Sequence, residues 1–393
     1  MQTARANGQT AAARRVRGLA WIACAAFAQT AAGAPRELQA GAALDVHLAA
    51  GEQASYRVTL AAGSAAELGL QQFDAMLQLR AAPEPGAAAH PLSTQAGRMA
   101  RLHVSLLGDA ATVWTIQINA AKADRAASYR IELTPARPAT RADRTRALAE
   151  THFAEAEAIR LAAGGVEPGR RDADLAGART LYGQAIDGWH EIHDACAQLA
   201  AGTGLARFEL AQSRYPQAQA AAEAALAAEC DASGDDLAAA ADRAAALRTL
   251  AAARGYQGDF EASATQSEQA LALYRHTGDE RFQGVVLGNL SAVYRSLGET
   301  QRALEAAEEA LAIAERTHDA QGVAFSRENI GSAYLARGEL AQALAAYRRT
   351  LADLETTPYP LTEGLVWNEL GQLYRRLGEA AQARSAWRSK SVV

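Results

Sequence analysis

A chain of 393 residues is long enough for two or three domains and for a sizeable buried core. Hydrophobic residues make up 49% of it but aromatics only 6%, and about a quarter of all residues are Ala, so the apolar surface is mostly methyl groups, which suits helices packed closely at small residues. Charged residues at 21%, a mean hydropathy of −0.16 and no late apolar run near the ~20 residues of a bilayer-spanning helix exclude a multispanning membrane protein. Formal charge is −5, and near −9 if the four arginines of the amino-terminal leader are removed, a sign that repels phosphate backbones and argues against a nucleic-acid partner. Only two lysines, Lys122 and Lys390, stand against 37 arginines, which reads as the codon bias of a GC-rich genome.

The first 17 residues hold Arg5, Arg14, Arg15 and Arg17 and no acid, residues 18–28 read GLAWIACAAFA, and Ala26-Phe27-Ala28 offers the small residues that a signal peptidase reads. Residues 1–28 are therefore read as a secretory signal peptide, cleaved after Ala28. Ala32-Gly33-Ala34 is the less favourable alternative because Pro35 follows it. Cys24 is a lipoprotein acceptor only if Trp21 stands in for the usual aliphatic residue, so a periplasmic or secreted protein is expected. Loss of the leader leaves Cys196 and Cys230 as an even pair in an oxidising compartment, hence a disulfide candidate; a bridge closing such a loop stabilises by roughly 3–4 kcal/mol in the chain-entropy model.

Residues 35–137 alternate with period two: Leu44, Val46 and Leu48, then Tyr56, Val58 and Leu60, then Leu68 and Leu70, with glycine turns between. The rhythm returns at residues 76–79, 102–106, 113–118 and 129–133, predicting seven or so short strands and a β-sandwich. Residues 81–97 are expected to be a loop, because Pro83, Pro85 and Pro91 lack the N–H a ladder needs. Gly51-Glu52, Tyr56-x-Val58-x-Leu60-x-Ala62-Gly63, Gln71-Gln72-Phe73-Asp74 and Tyr129-x-Ile131-x-Leu133 resemble the small sandwich of secreted bacterial proteins of the pre-peptidase C-terminal type. The resemblance implies an accessory module without catalytic residues, and His47, His90 and His103 read as scattered surface histidines.

Pro135-Ala136-Arg137-Pro138 closes that region, and from residue 142 the period becomes helical. Leu290-Ser291-x-x-Tyr294-x-x-x-Gly298 recurs as Ile330-Gly331-x-x-Tyr334-x-x-x-Gly338 and Leu370-Gly371-x-x-Tyr374-x-x-x-Gly378, each 40 residues on, with Ala303, Ala343 and Ala383 in step. Backward, the register passes Leu250 and then, after a step of 45, Leu205. About six helix pairs result over residues 142–393, the first interrupted at Gly164–Gly169. The expected fold class is α+β multidomain: a small β-sandwich followed by an all-α solenoid.

Trp367-x-x-Leu370-Gly371-x-x-Tyr374, then Gly378, Ala383 and Trp387, resembles the tetratricopeptide repeat, although the step of 40 exceeds that family's usual 34 and its closing proline is mostly missing. The resemblance implies a groove lined by the first helix of each pair. Groove positions carried over to this sequence are Asn289, Arg295, Glu328, Asn329, Asn368, Arg375 and Arg376, where amides hold a peptide backbone and arginines pair with carboxylates. The alternative is a solvated polar helix face.

Catalytic constellations are not expected. His190-Glu191-Ile192-His193 is one residue short of the spacing that puts two zinc-binding histidines on one helix face, and Cys196 beside it has no base in a pocket. Phosphate-cradling glycine loops and a nucleophile-elbow serine pattern are missing. The reading is a non-enzyme without metal or cofactor, a scaffold whose partner is a protein or peptide. The order of leader, sandwich and repeats also resembles the front of bacterial proteins ending in a CHAT-type putative cysteine peptidase domain. The sequence stops at Trp387-Arg388-Ser389-Lys390-Ser391-Val392-Val393 without a polar capping helix, so a truncated regulatory portion of such a protein is the alternative expectation.

Overall fold

The computed structural model describes residues 35–41, 43–72, 77–84, 90–93, 101–120, 126–162, 168–230, 237–356 and 358–390. The leader, Cys24 and most of Gly164–Gly169 lie outside these residues, although Pro168 and Gly169 already belong to a helix.

Among the described residues the strand-rich domain has ten strands: β1 Arg36–Glu37, β2 Ala43–Leu48, β3 Gln53–Leu60, β4 Ser64–Gln72, β5 Leu77–Glu84, β6 His90–Ser93, β7 Arg101–Gly108, β8 Thr112–Ala120, β9 Ala127–Leu133 and β10 Arg137–Pro138. One sheet runs β1-β3-β8-β5-β6. In the other, β4 pairs with β7 on one side and with β9 and β10 on the other, and β2 pairs with β9. Alternation along β3 places Ala54, Tyr56, Val58 and Leu60 inward, where they meet Leu68, Leu106, Ile116 and Ile131 in one continuous core. Tyr56 and Tyr129 hydrogen-bond through their hydroxyls (2.9 Å) inside that core, and burial raises the pKa of both phenols.

The expectation of a loop over residues 81–97 is corrected: β5 continues to Glu84, and β6 occupies His90–Ser93. Proline is tolerated because Pro91 sits on an edge strand, and Pro83 pairs with Trp114 only beyond the stretch where β6 lies alongside β5.

Twelve helices follow among the described residues: α1 Arg141–Ala162, α2 Pro168–Glu191, α3 Ala195–Ala211, α4 Tyr215–Leu226, α5 Leu237–Tyr256, α6 Phe260–His276, α7 Glu280–Ser296, α8 Thr300–Arg316, α9 Ala320–Arg337, α10 Leu340–Thr356, α11 Pro360–Arg376 and α12 Ala380–Lys390. They form antiparallel pairs. Gly298, Gly338 and Gly378 each adopt φ between +77° and +79°, and the amides of Glu299, Glu339 and Glu379 reach back to the carbonyls of Tyr294, Tyr334 and Tyr374, a left-handed stop that favours glycine. Asp194, Asp259, Asp279 and Asp319 restart the chain as N-caps, accepting from the amide three residues on. Cys196, in the first turn of α3, is bonded to Cys230 beyond the end of α4, with Cα atoms 4.6 Å apart.

Within a pair, small and large residues face one another. A Cβ on Gly331 would stand 2.6 Å from the Tyr347 ring, and one on Gly371 would collide with the Trp387 indole. At the equivalent place Ser291 faces the buried Ala307 region, donating to the Ala303 carbonyl at 2.8 Å. Glycine is required wherever the neighbouring helix brings an aromatic ring.

Sandwich and solenoid are joined without slack. The Ala139 amide bonds to the Gly63 carbonyl (2.9 Å), Thr140 and Asp143 cap α1 reciprocally, and Arg137 grips Asp143 at 2.6 and 2.7 Å, holding that carboxyl well below the usual carboxylate range. Helix α1 then covers the edge of β7, where Glu150 accepts from both the amide (2.8 Å) and the hydroxyl (3.0 Å) of Ser105.

Candidate functional site

The first helices α3, α5, α7, α9 and α11 pack on one another as well as on their own partners, forming a continuous inner layer. What each presents on its remaining face is set by the 40-residue step.

The groove positions separate into two groups. Glu328 and Asn329 of α9 are 5% and 3% exposed. Asn329 donates its amide to the Gly288 carbonyl of α7 (3.3 Å), so it holds two first helices together from inside the stack. Glu328 accepts from Ser332 (2.8 Å), whose hydroxyl is 3.0 Å from that of Tyr347. Burial raises the Glu328 pKa, Arg295 opposes the shift, and Glu369 adds to it. Arg376 likewise joins helices, donating to the Leu335 carbonyl at 2.7 Å. Arg295 and Asn289 are half-buried on α7, Asn368 is half-buried on α11 and donates to Glu369 at 3.3 Å, and Arg375 is exposed. The structure therefore brings Arg295, Glu328 and Glu369 into one electrostatic group across α7, α9 and α11, while Asn329 and the exposed Arg376 each bond to the backbone of the preceding first helix.

Two further features escape the motif. An apolar row, Ala245, Val285, Phe325 and Leu365, recurs every 40 residues, one side chain per first helix; Val285 is 37% and Leu365 38% exposed. The Phe325 ring lies against Gly288, where a Cβ would be 2.9 Å from it. The other feature is a run of guanidiniums toward the amino-terminal end: Arg160 on α1, Arg207 on α3 and Arg248 on α5. Glu157 binds Arg160 (2.6 and 3.0 Å) and the Tyr182 hydroxyl (2.5 Å), and these contacts outweigh its burial to lower its pKa. Burial lowers the pKa of Arg207, and the positive charges of Arg160 and Arg248 add to the effect. The apolar row was legible at the 40-residue step. The arginines were not, because the step of 45 between α3 and α5 and the irregular first pair break the register.

A second concavity, of about 340 Å³, lies between the sandwich and α1 and is walled by Pro83, Val104, Trp114, Ala147 and Leu148, with Glu150 at its base. Burial raises the Glu150 pKa to about 7 against the opposing hydrogen bonds from Ser105. His190 is exposed at the end of α2 and His193 takes a left-handed turn conformation (φ 56°); among the described residues no group of three or more His, Cys, Asp or Glu side chains is placed to hold a metal ion. No helix among the described residues is long and apolar enough to cross a membrane.

The family model for the tetratricopeptide repeat matches residues 242–316 and again 282–356. Among solved structures, BtubC (BKLC) from P. vanneervenii is similar over 64% of this chain and 91% of its own, at 20% identity and a TM-score of 0.43. A putative kinesin light chain from Podosopora anserina with nearly identical TPR-like repeats is similar over 52% of this chain and 96% of its own, at 20% identity and a TM-score of 0.42. A Rap protein complexed with competence and sporulation factor is similar over 64% of each chain, at 15% identity and a TM-score of 0.44. No curated protein is matched by this chain. Tetratricopeptide-type repeats thus make up the regular centre of the solenoid, behind a strand-rich domain.

Proposed function

We propose that the protein is a secreted or periplasmic scaffold that binds a protein segment along the inner face of its repeat array. One observation carries the reading: the first helices stack directly on one another, yet leave Val285, Leu365, Asn289, Arg295 and Arg375 at least partly in solvent on that layer. Packing does not account for half-exposed apolar side chains repeated at the period of the fold; a bound segment does. The arginine-rich leader followed by an apolar run supports export, and the Cys196–Cys230 bond suits an oxidising compartment. The strand-rich domain, in keeping with its resemblance to pre-peptidase C-terminal sandwiches, is assigned an accessory recognition role. No catalytic group or cofactor is assigned. The test is site-specific photocrosslinking from Val285 on the inner layer against Arg275 on the second helix α6, in cells expressing the full chain. A partner captured from Val285 alone, and lost on Arg295→Glu with Arg375→Glu, is the expected result; capture indifferent to position and charge sinks the groove. A second reading, the recognition portion of a CHAT-type putative cysteine peptidase, is favoured by the order of strand-rich domain and repeats, and is tested by whether the downstream reading frame encodes a His/Cys domain.

A further inference from the structure

Helix α1 lies across the seam where the two sheets part, against β7 of one sheet and β6 of the other. The cavity of about 340 Å³ opens at that seam, within the ~300–1,000 Å³ of small-molecule sites. Its wall is mostly apolar, with Pro83 from β5, Val104 from β7, Trp114 from β8, and Ala147 and the exposed Leu148 from α1. The Trp114 indole donates to the Leu107 carbonyl at 2.9 Å, which fixes the ring as one side of the cavity. Of the charged residues in the lining, Asp109 and Glu150 are acidic and Arg144 is basic. Arg144 stays at the rim, 3.6 Å from the exposed Asp109 and donating to the Ala139 and Thr140 carbonyls. Glu150 lies at the base, where its hydrogen bonds come from the neutral amide and hydroxyl of Ser105, one to each carboxyl oxygen. Each oxygen keeps a second lone pair. Arg146, whose charge also acts on Glu150, is paired with Glu67 at 3.5 Å and with Asp194 at 3.3 Å. Covering the β7 edge requires an acceptor at this place, and an amide would serve; a carboxyl adds a charge that edge covering does not need.

We infer that this cavity is a binding site for a small apolar amine, its ammonium held by the Glu150 carboxylate beside the Trp114 ring and its apolar body lying against Pro83, Val104 and Leu148. The site is separate from the repeat groove and does not depend on it. An ammonium answers both features of the base, since it donates to the open lone pairs of a carboxylate and is attracted to an indole. An anionic head would meet Glu150 and Asp109, with Arg144 already engaged at the rim. Burial raises the Glu150 pKa to about 7, so seating a cation expels the proton that the empty site retains below that value. The charges that act on this carboxyl are Arg146 from its own helix and Glu67 from β4, with Arg144 and Asp109 at the rim.

The experiment uses the full chain and three probes with one apolar body and different heads, phenylbutylammonium, phenylbutanol and phenylbutyrate, read by ligand-observed NMR. At about pH 8 the ammonium is expected to bind at least about tenfold more tightly than the alcohol, and the carboxylate more weakly than either. The amine stays protonated well above that pH, as lysine does up to ~10. Between about pH 6 and about pH 8 its affinity is expected to rise about tenfold, because a carboxyl of pKa about 7 goes from roughly one-tenth to roughly nine-tenths ionised. Glu150→Gln removes both the preference and the pH dependence while His90, His103 and His152 stay in place. Ala147→Phe fills the cavity and abolishes binding of all three probes. Thermal melts of each variant separate lost binding from lost fold. Should Glu150→Gln not fold, calorimetry of the unaltered chain in buffers of different ionisation enthalpy decides, with proton release on binding of the ammonium as the expected result. Equal binding of ammonium and alcohol, a preference that survives Glu150→Gln or Ala147→Phe in a folded protein, binding of the ammonium without proton release at about pH 6, or binding of none of the probes overturns the inference.

Discussion

The sandwich and the solenoid bury comparable residues in opposite ways. In the sandwich, a single cluster runs from Leu48 through Tyr129 to Leu133, and β2 pairs with β9 so that Ala43 lies opposite Glu132. In the solenoid the core is divided among separate clusters, each made by helices adjacent or nearly adjacent in sequence. A core closed by long-range pairings has no part that can be lost alone, whereas a stack of hairpins depends mainly on nearest neighbours. The sandwich is therefore expected to fail as a unit and the solenoid locally.

The largest effect that exposes this difference is expected at Tyr129. Tyr129→Ala empties a fully buried site and leaves the Tyr56 hydroxyl without its partner, at a cost of about 3–5 kcal/mol to the sandwich. Hydrogen exchange on the variant is expected to lose protection along β2, β3, β4, β8 and β9 together while α7 through α10 keep theirs; graded loss confined to β9 contradicts a single core. The complementary change is Gly331→Ala, whose new methyl meets the Tyr347 ring. Overpacking of that kind costs ~1–3 kcal/mol, and the lost protection is expected in α9 and α10 alone. Adding Tyr347→Ala recovers part of the loss, because the pair then resembles Ser291 with Ala307, a combination this stack already holds; strict additivity in denaturation midpoints contradicts the small-against-large account.

Much of this architecture was legible because its causes are local. The Gly298, Gly338 and Gly378 stops, the Asp caps and the period-two strands each depend on residues within a few positions. Judging Pro83 and Pro91 required knowing which strand lies at the sheet edge, and that is decided by pairing across the whole domain. The two-residue strands β1 and β10 have no pattern to read. In the candidate site, Arg295 and Arg375 are visible at repeat positions, whereas the bonds of Asn329 to the Gly288 carbonyl and of Arg376 to the Leu335 carbonyl depend on the neighbouring first helix and leave no local signal in the sequence. Arg207 and Arg248 show nothing in isolation; their meaning lies in the proximity of three charges on helices spaced irregularly along the chain.

The joint between the two regions gives the smallest expected effect and tests whether they are coupled. Asp143, held below the ordinary carboxylate range by Arg137 and Thr140, stabilises the joint at neutral pH and loses that contribution as pH falls through its folded-state pKa. Glu150 works in the other sense. Its pKa rises from 4.5 to about 7 in the folded chain, so its contribution is full below the unfolded value and is lost as pH climbs through about 7. Arg146 opposes that shift and Glu67, which lies opposite Ser105 across the β4–β7 ladder and pairs with Arg146 at 3.5 Å, adds to it. Glu150→Gln keeps an acceptor for the Ser105 amide without a titrating charge. Between pH 5 and pH 8, across the shift from 4.5 to about 7, wild-type melting is expected to fall by a few degrees relative to the variant. Because Arg137, Asp143 and the Ala139 bond persist over that interval, α1 stays docked, and the difference reports one carboxylate rather than separation of the domains. Parallel melting curves for the two proteins would mean that the Glu150 carboxyl is solvated, and that the helix covers the β7 edge without sealing it.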